Sequence, residues 1–157
     1  MKLLSKHNLS KKILIWYDKN KRDLPWRMDI KETNPYKTWV SEIMLQQTTV
    51  EAVKPYYHKF ISKWPSVKKL ADSELEDIMD SWSGLGYYSR AKNLHKTAKI
   101  LCKEYDTKIP SNYEELIRLP GIGPYTAGAI LAIAYDKKAP VIDANIERVV
   151  CRLFKIE

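Results

Sequence analysis

Two acidic residues stand in apolar surroundings where a carboxyl could do acid or electrostatic work. Glu42 lies in Ser41-Glu42-Ile43-Met44-Leu45-Gln46-Gln47-Thr48, with Trp39 and Tyr36 about one and two turns before it. A carboxyl held against apolar surface is harder to ionise, and its raised pKa suits a general acid near neutral pH. The other reading is an exposed Glu on a polar helix face, and periodicity does not separate the two. Asp143 follows Val141-Ile142 and precedes Ala144-Asn145 at a helix start. It could face a site, but on local pattern alone it reads as an ordinary N-cap, a position Asp favours. Other chemistries have no residues to carry them. His7, His58 and His95 are isolated, with no HExxH or Cys/His cluster. Cys102 in an amphipathic stretch and Cys151 on an apolar face read as core residues, so no metal site is expected. No Ser/His/Asp arrangement can be read from spacing.

Leu119-Pro120-Gly121-Ile122-Gly123-Pro124-Tyr125-Thr126 offers a different chemistry. A tight Gly-x-Gly turn between two helices leaves free N–H groups and the positive dipole end at the start of the second, which suits a phosphate. A dinucleotide fingerprint needs a preceding strand and a third Gly, but a helix precedes here and Thr126 fills that place. There is no Gly-Lys-Ser/Thr, so a P-loop is excluded. What remains is either a helix–hairpin–helix clamp on a nucleic-acid backbone or a plain helix corner, in equal balance. Gly84-Leu85-Gly86-Tyr87-Tyr88-Ser89-Arg90 is a second Gly-rich turn before a helix. Its aromatics and Arg would suit a loop touching DNA; standing alone, it reads rather as a core aromatic pair at a helix start.

The elements that must position these residues are helical almost throughout. Spacings of three and four predict helices from Lys11, capped by Ser10, to about Asn20; from Asn34-Pro35 to about Gln47; and from about Thr49 to Ser62. A short acidic helix is predicted over Asp72–Asp80, and an amphipathic one over Arg90–Glu104. Ser111 caps a short helix ending near Arg118. Pro124 suits the first position of a helix to about Tyr135, apolar nearly all round and therefore buried. A last helix after Asp143 carries Ile146, Val149, Val150 and Leu153. No segment alternates long enough for a strand, so the expected class is all-α.

The composition is consistent with one helical domain, or with one large and one partial lobe. The chain has 157 residues, 45% hydrophobic, with 27 Lys+Arg against 19 Asp+Glu, a formal charge of +8. A core is available and disorder is excluded; 5 Gly and 2 Cys exclude collagen and a disulfide scaffold. The apolar run from Ala127 to Tyr135 is far short of a membrane span. Two separated Cys indicate a reducing compartment, and the net charge favours a polyanionic partner. Residues 1–23 hold seven Lys/Arg and two acids, whereas Asp72–Asp80 holds five acids and no base. Most of these charges read as solvated helix faces.

Five segments together resemble the helix–hairpin–helix base-excision DNA glycosylases, and within them the A/G-specific adenine-glycosylase branch. They are Leu24–Arg27, Trp39–Thr48, Trp82–Arg90, Leu119–Gly128 and Asp143–Arg148, in the family's order and at its spacing. The resemblance covers about residues 10 to 155. It implies a helical lobe over 24–136 with the hairpin at 119–123, and a second lobe to which 1–23 and 137–157 contribute. It implies that Glu42 protonates a flipped adenine, that Asp143 stabilises the oxocarbenium-like sugar, and that Tyr125 and Asn145 orient these carboxylates. Arg27 and Leu45 would line the base pocket. Gln46, Gln47 and Tyr87 would contact or enter the duplex, and Gly121, Gly123 and Thr126 would hold a phosphate. In the endonuclease III branch a Lys stands at position 125 and cleaves the strand; Tyr125 implies a monofunctional glycosylase. A G:T thymine glycosylase also carries Tyr there and stays as an alternative, as does a non-catalytic DNA-binding module.

The implied partner is double-stranded DNA holding adenine opposite 8-oxoguanine or guanine, met by a monomer in a bacterial-type cytoplasm without membrane attachment. The family's [4Fe–4S] cluster uses four Cys beyond the second carboxylate. With two, this chain would hold no cofactor, and the resemblance implies a fragment of a longer polypeptide that carries the cluster. Val149, Val150, Leu153 and Phe154 should then be poorly covered.

Overall fold

The computed structural model describes residues 6–27 and 33–156. The expectations for residues 1–5 and for the His7 side chain fall outside the described residues.

Nine helices and no strand occur among the described residues: α1 (Lys6–Asn20), α2 (Pro35–Leu45), α3 (Val50–Lys63), α4 (Val67–Ala71), α5 (Leu75–Trp82), α6 (Ser89–Glu104), α7 (Tyr113–Leu116), α8 (Pro124–Ala134) and α9 (Ala144–Phe154). Side-chain caps set several of their starts. The Asn34 carboxamide oxygen accepts from Tyr36 N at 2.9 Å, with Pro35 fixing φ at the first turn of α2. Thr49, Ser66 and Asn112 do the same for α3, α4 and α7.

One core runs from Leu24 to Leu131 and is closed by α2 through α8. Trp39 of α2, Phe60 of α3, Trp82 of α5 and Ile130 of α8 are fully buried at its centre. The Phe60 and Trp82 rings meet edge to face at 6.0 Å, a geometry the aromatic quadrupole favours. Truncating either ring would cost about 3–5 kcal/mol. Helix α8 packs along α2, so the hairpin before α8 and the acid in α2 belong to one rigid unit.

Several expectations from spacing need correction. Helix α1 begins at Lys6, so Ser10 lies inside it rather than capping it. The acidic helix starts at Leu75, which is half-exposed, and Asn112 rather than Ser111 caps α7. Helix α4 was not predicted. Tyr87 and Tyr88 do not form a core pair: they are 60% and 42% exposed. Cys151, read as a core residue, is only partly buried, because nothing among the described residues covers α9. That helix has no buried residue, as expected for Val149, Val150, Leu153 and Phe154, and Ile13, Leu14 and Trp16 of α1 are also exposed.

Candidate active site

A pocket of about 720 Å³ opens between α2, the start of α8 and the two Gly- and Gln-containing turns. Its size lies in the range of small-ligand sites. Glu42 enters from the middle of α2, Tyr125 from the first turn of α8, and Asp143 from the connector before α9. Trp26, Arg27 and Leu45 line the same space. Trp26 is held edge-on to the Tyr57 ring at 5.3 Å.

The two carboxyl groups sit in different surroundings. Burial raises the Glu42 carboxyl from its ordinary range to about 7. The Tyr125 O–H, which donates to it, and the Arg27 charge pull the other way and are outweighed. Tyr125 is raised by its own burial, and next by the negative charges of Glu42 and Asp143. The phenol therefore lies within the field of both acids. Asp143 is half-buried, and its Oδ1 accepts from Ile146 N at 2.7 Å. The N-cap reading and the pocket reading thus apply to one residue: the cap fixes the carboxylate and leaves Oδ2 toward other partners. Asn145 Nδ2 lies 3.5 Å from that Oδ2, while its own oxygen accepts from Arg148 at 2.7 Å. Asn145 is exposed, beside Asp143 rather than in the pocket wall.

The connector reaches the pocket because of Gly128, whose role was not read from the sequence. A Cβ at Gly128 would lie 2.1 Å from the Pro140 carbonyl oxygen, so only glycine lets the chain cross α8 so closely on its way to Asp143. The signal was present as a lone glycine inside an otherwise unbroken apolar helix.

At the hairpin, Gly121 takes φ +79° and lies against the Asn93 side chain, where a Cβ would come within 2.9 Å. Thr97 Oγ1 donates to Pro120 O at 2.9 Å, tying the turn to α6. Gly123 stands at the N-cap of α8 and supplies no side-chain cap. Exposed Gly121, Gly123 and Tyr125 thus mark an uncapped helix start. Thr126 is buried and its hydroxyl accepts from Gln46 Nε2 at 3.2 Å, so what it can offer a phosphate is its backbone N–H. Gln46 is likewise turned inward. Gln47 and Tyr87, by contrast, stand exposed at the pocket rim. Arg90, offered by the sequence either to a loop touching DNA or to a helix start, is buried in the first turn of α6.

Among the described residues no set fits a metal or cluster. Cys102 packs against the core from α6 and Cys151 lies in α9. Among the described residues no three His, Cys, Asp or Glu side chains converge. Nor, among those residues, is any helix long and apolar enough to cross a membrane.

Among the described residues, an all-helical body with a Gly-x-Gly hairpin between two helices defines a helix–hairpin–helix fold. The chain belongs to the HhH-GPD superfamily of base excision DNA repair proteins, which it matches over residues 40–157. It is 50% identical over 145 residues to an adenine DNA glycosylase of Buchnera aphidicola subsp. Baizongia pistaciae, covering 92% of this chain and 40% of that protein. It is 48% identical over 147 residues to the adenine DNA glycosylase of Rattus norvegicus, covering 90% of this chain and 28% of the other. The chain therefore spans well under half the length of these curated relatives. Among solved structures, a thermostable thymine-DNA glycosylase superposes with TM-score 0.83 at 31% identity, over 90% of this chain and 64% of that one. A trapped endonuclease III–DNA covalent intermediate superposes with TM-score 0.82 at 23% identity, over 99% of this chain and 72% of the other, a likeness of fold alone.

Proposed function

We propose that this chain is the catalytic portion of a monofunctional adenine DNA glycosylase, which removes adenine paired with 8-oxoguanine or guanine. The observation that carries this reading is a protonatable Glu42 facing Asp143 across one pocket, with a phenol rather than an amine between them. A base must leave the duplex stack to be reached. In the reading, Arg27, Leu45 and Trp26 receive it. Protonated Glu42 donates to a ring nitrogen of adenine, the C1′–N9 bond breaks, and its electron pair leaves with the base. Carboxylate Asp143 stabilises the cationic sugar until water supplies the new C1′–O bond and loses its proton. This is the two-carboxylate division of labour in retaining glycosidases, moved to an N-glycosidic bond.

Identities of 45–50% to curated adenine DNA glycosylases support the choice of base. Tyr125 has no amine to form a Schiff base, which supports hydrolysis without strand cleavage. In this reading the N–H groups at Gly121 and Gly123 hold a phosphate, and Gln47 and Tyr87 enter the duplex. Residues 24–136 form the helical lobe, while 1–23 and 137–157 belong to a second lobe, which accounts for the apolar sides of α1 and α9. The same residues fit a thymine glycosylase of the kind seen among the structural neighbours, so the test must include both bases. A single-turnover assay on A:8-oxoguanine, A:G and G:T duplexes is expected to release adenine only, with no β-elimination. Release of thymine alone would transfer the assignment to G:T repair, and binding without base release would reduce the chain to a clamp.

A further inference from the structure

Arg90 is the second residue of α6, and its guanidinium is buried between two turns that are far apart in sequence. Nη1 donates to the carbonyls of Met44 at 2.8 Å, Ile43 at 3.2 Å and Gln46. Ile43 and Met44 belong to the last turn of α2 and Gln46 is its C-cap residue; carbonyls there have no partner within the helix and carry its negative dipole end. Nη2 donates to Leu85 O and Gly86 O, each at 3.1 Å. The Trp82 and Tyr87 rings lie over the cation, both at 5.5 Å. Only a planar guanidinium can serve two such clusters at once; an ammonium is a single point donor.

The two carbonyl clusters have a common feature. Gln46 O precedes Gln47, which has φ +54°, and Gly86 O precedes Tyr87, which has φ +48°. Neither is glycine, and left-handed backbone at such residues persists only where surrounding structure over-determines it. The same side chain therefore fixes the peptide ahead of each strained residue. Both residues line the pocket and stand exposed at its rim.

We propose that Arg90 is a positioning residue for base extrusion, bracketing the two turns so that Gln47 and Tyr87 meet the duplex as one unit. This rests on the reading of those two residues as the ones that enter the duplex. It does not require Arg90 to touch DNA, and Arg90 takes no part in grip at the hairpin, which α6 supports separately through Thr97 and Asn93.

The test uses the protein at its natural length and a duplex with 2-aminopurine in place of the target adenine opposite 8-oxoguanine, so that extrusion is read by fluorescence without chemistry. Arg90→Lys is expected to bind the duplex within about twofold of wild type, yet to lose at least about tenfold in extrusion rate. On an adenine duplex it should lose the same factor in single-turnover rate while keeping the pH midpoint set by Glu42. Gln47→Ala and Tyr87→Ala, alone and combined, supply a second measurement that does not depend on how Arg90→Lys folds. Their effects on extrusion should be non-additive in an Arg90 background. Wild-type extrusion in Arg90→Lys, a loss matched by equal loss of duplex binding, or additive effects of the rim pair would overturn the bracket. A wild-type protein that extrudes 2-aminopurine but releases no adenine would overturn the glycosylase reading and leave the bracket standing.

Discussion

Glu42 is useful because of what surrounds it, and that surrounding has a measurable pH signature. Its carboxyl is raised to about 7, mainly by burial. Base release should therefore fall about tenfold per pH unit above that midpoint, because the acid form is lost. The folding consequence has the same origin. A carboxyl whose folded pKa exceeds its unfolded value favours the native state below about 4.5, and that advantage disappears as pH rises through about 7. Glu42→Gln should then lower the single-turnover rate by roughly 10²- to 10⁴-fold while melting higher than wild type at pH 8, by up to about 3 kcal/mol. Tyr125→Phe removes the donor that holds the carboxyl down, so its pH–rate midpoint should move above that of wild type; an unmoved midpoint would detach Tyr125 from Glu42. At this scale the sequence was informative about residue types but not surroundings. Apolar neighbours of Glu42 were visible, whereas the walls that bury it come from Trp26, Arg27 and Tyr125 on other elements. The burial of Arg90 was illegible for the same reason: a guanidinium bonded to Met44, 46 positions away, looks locally like any Arg at a helix start.

Between elements, the decisive contacts are close backbone approaches. The connector to Asp143 crosses α8 at Gly128, where a methyl would collide with the Pro140 carbonyl. Gly128→Ala should cost about 1–3 kcal/mol in thermal or urea unfolding, as overpacking does, and should lower base release at temperatures where the variant is fully folded. Retained activity would show that the connector can shift without moving Asp143. Gly121→Ala combines positive φ with contact at Asn93, and should weaken duplex binding more than it slows release from the bound complex. Long amphipathic helices such as α3 and α6 were legible because their apolar period runs over several turns. Helix α4 spans five residues, too few for a period to register. Its ends are set by the Ser66 cap and by burial of Leu70. Tyr87 and Tyr88 looked like core residues because aromatic content is local information, whereas exposure depends on the turn that Arg90 holds.

For the whole molecule, the all-helical class and the order of the motifs could be read from the chain, while the pocket they enclose was implied only by the family resemblance and not by local pattern. Glu42, Tyr125 and Asp143 share no local pattern; α2, α8 and the connector bring them together only in the fold. The exposed apolar sides of α1 and α9 were legible in part, as residues expected to be poorly covered. The +8 charge adds a property of the ensemble: duplex affinity should fall about tenfold or more from about 50 to about 200 mM salt, as counterions compete for phosphates. A flat salt dependence would remove the backbone from the binding surface. The central claim, two carboxylates sharing one hydrolysis, is tested most directly by single-turnover adenine release from an A:8-oxoguanine duplex across pH 5–9 for wild type, Glu42→Gln and Asp143→Asn, at about 1 unit steps. The expected result is a wild-type rate that declines above pH 7, a Glu42→Gln rate that is low and nearly independent of pH, and a slow Asp143→Asn that keeps the decline. Wild-type rates in both variants, or a pH profile unchanged by loss of the Glu42 carboxyl, would contradict it.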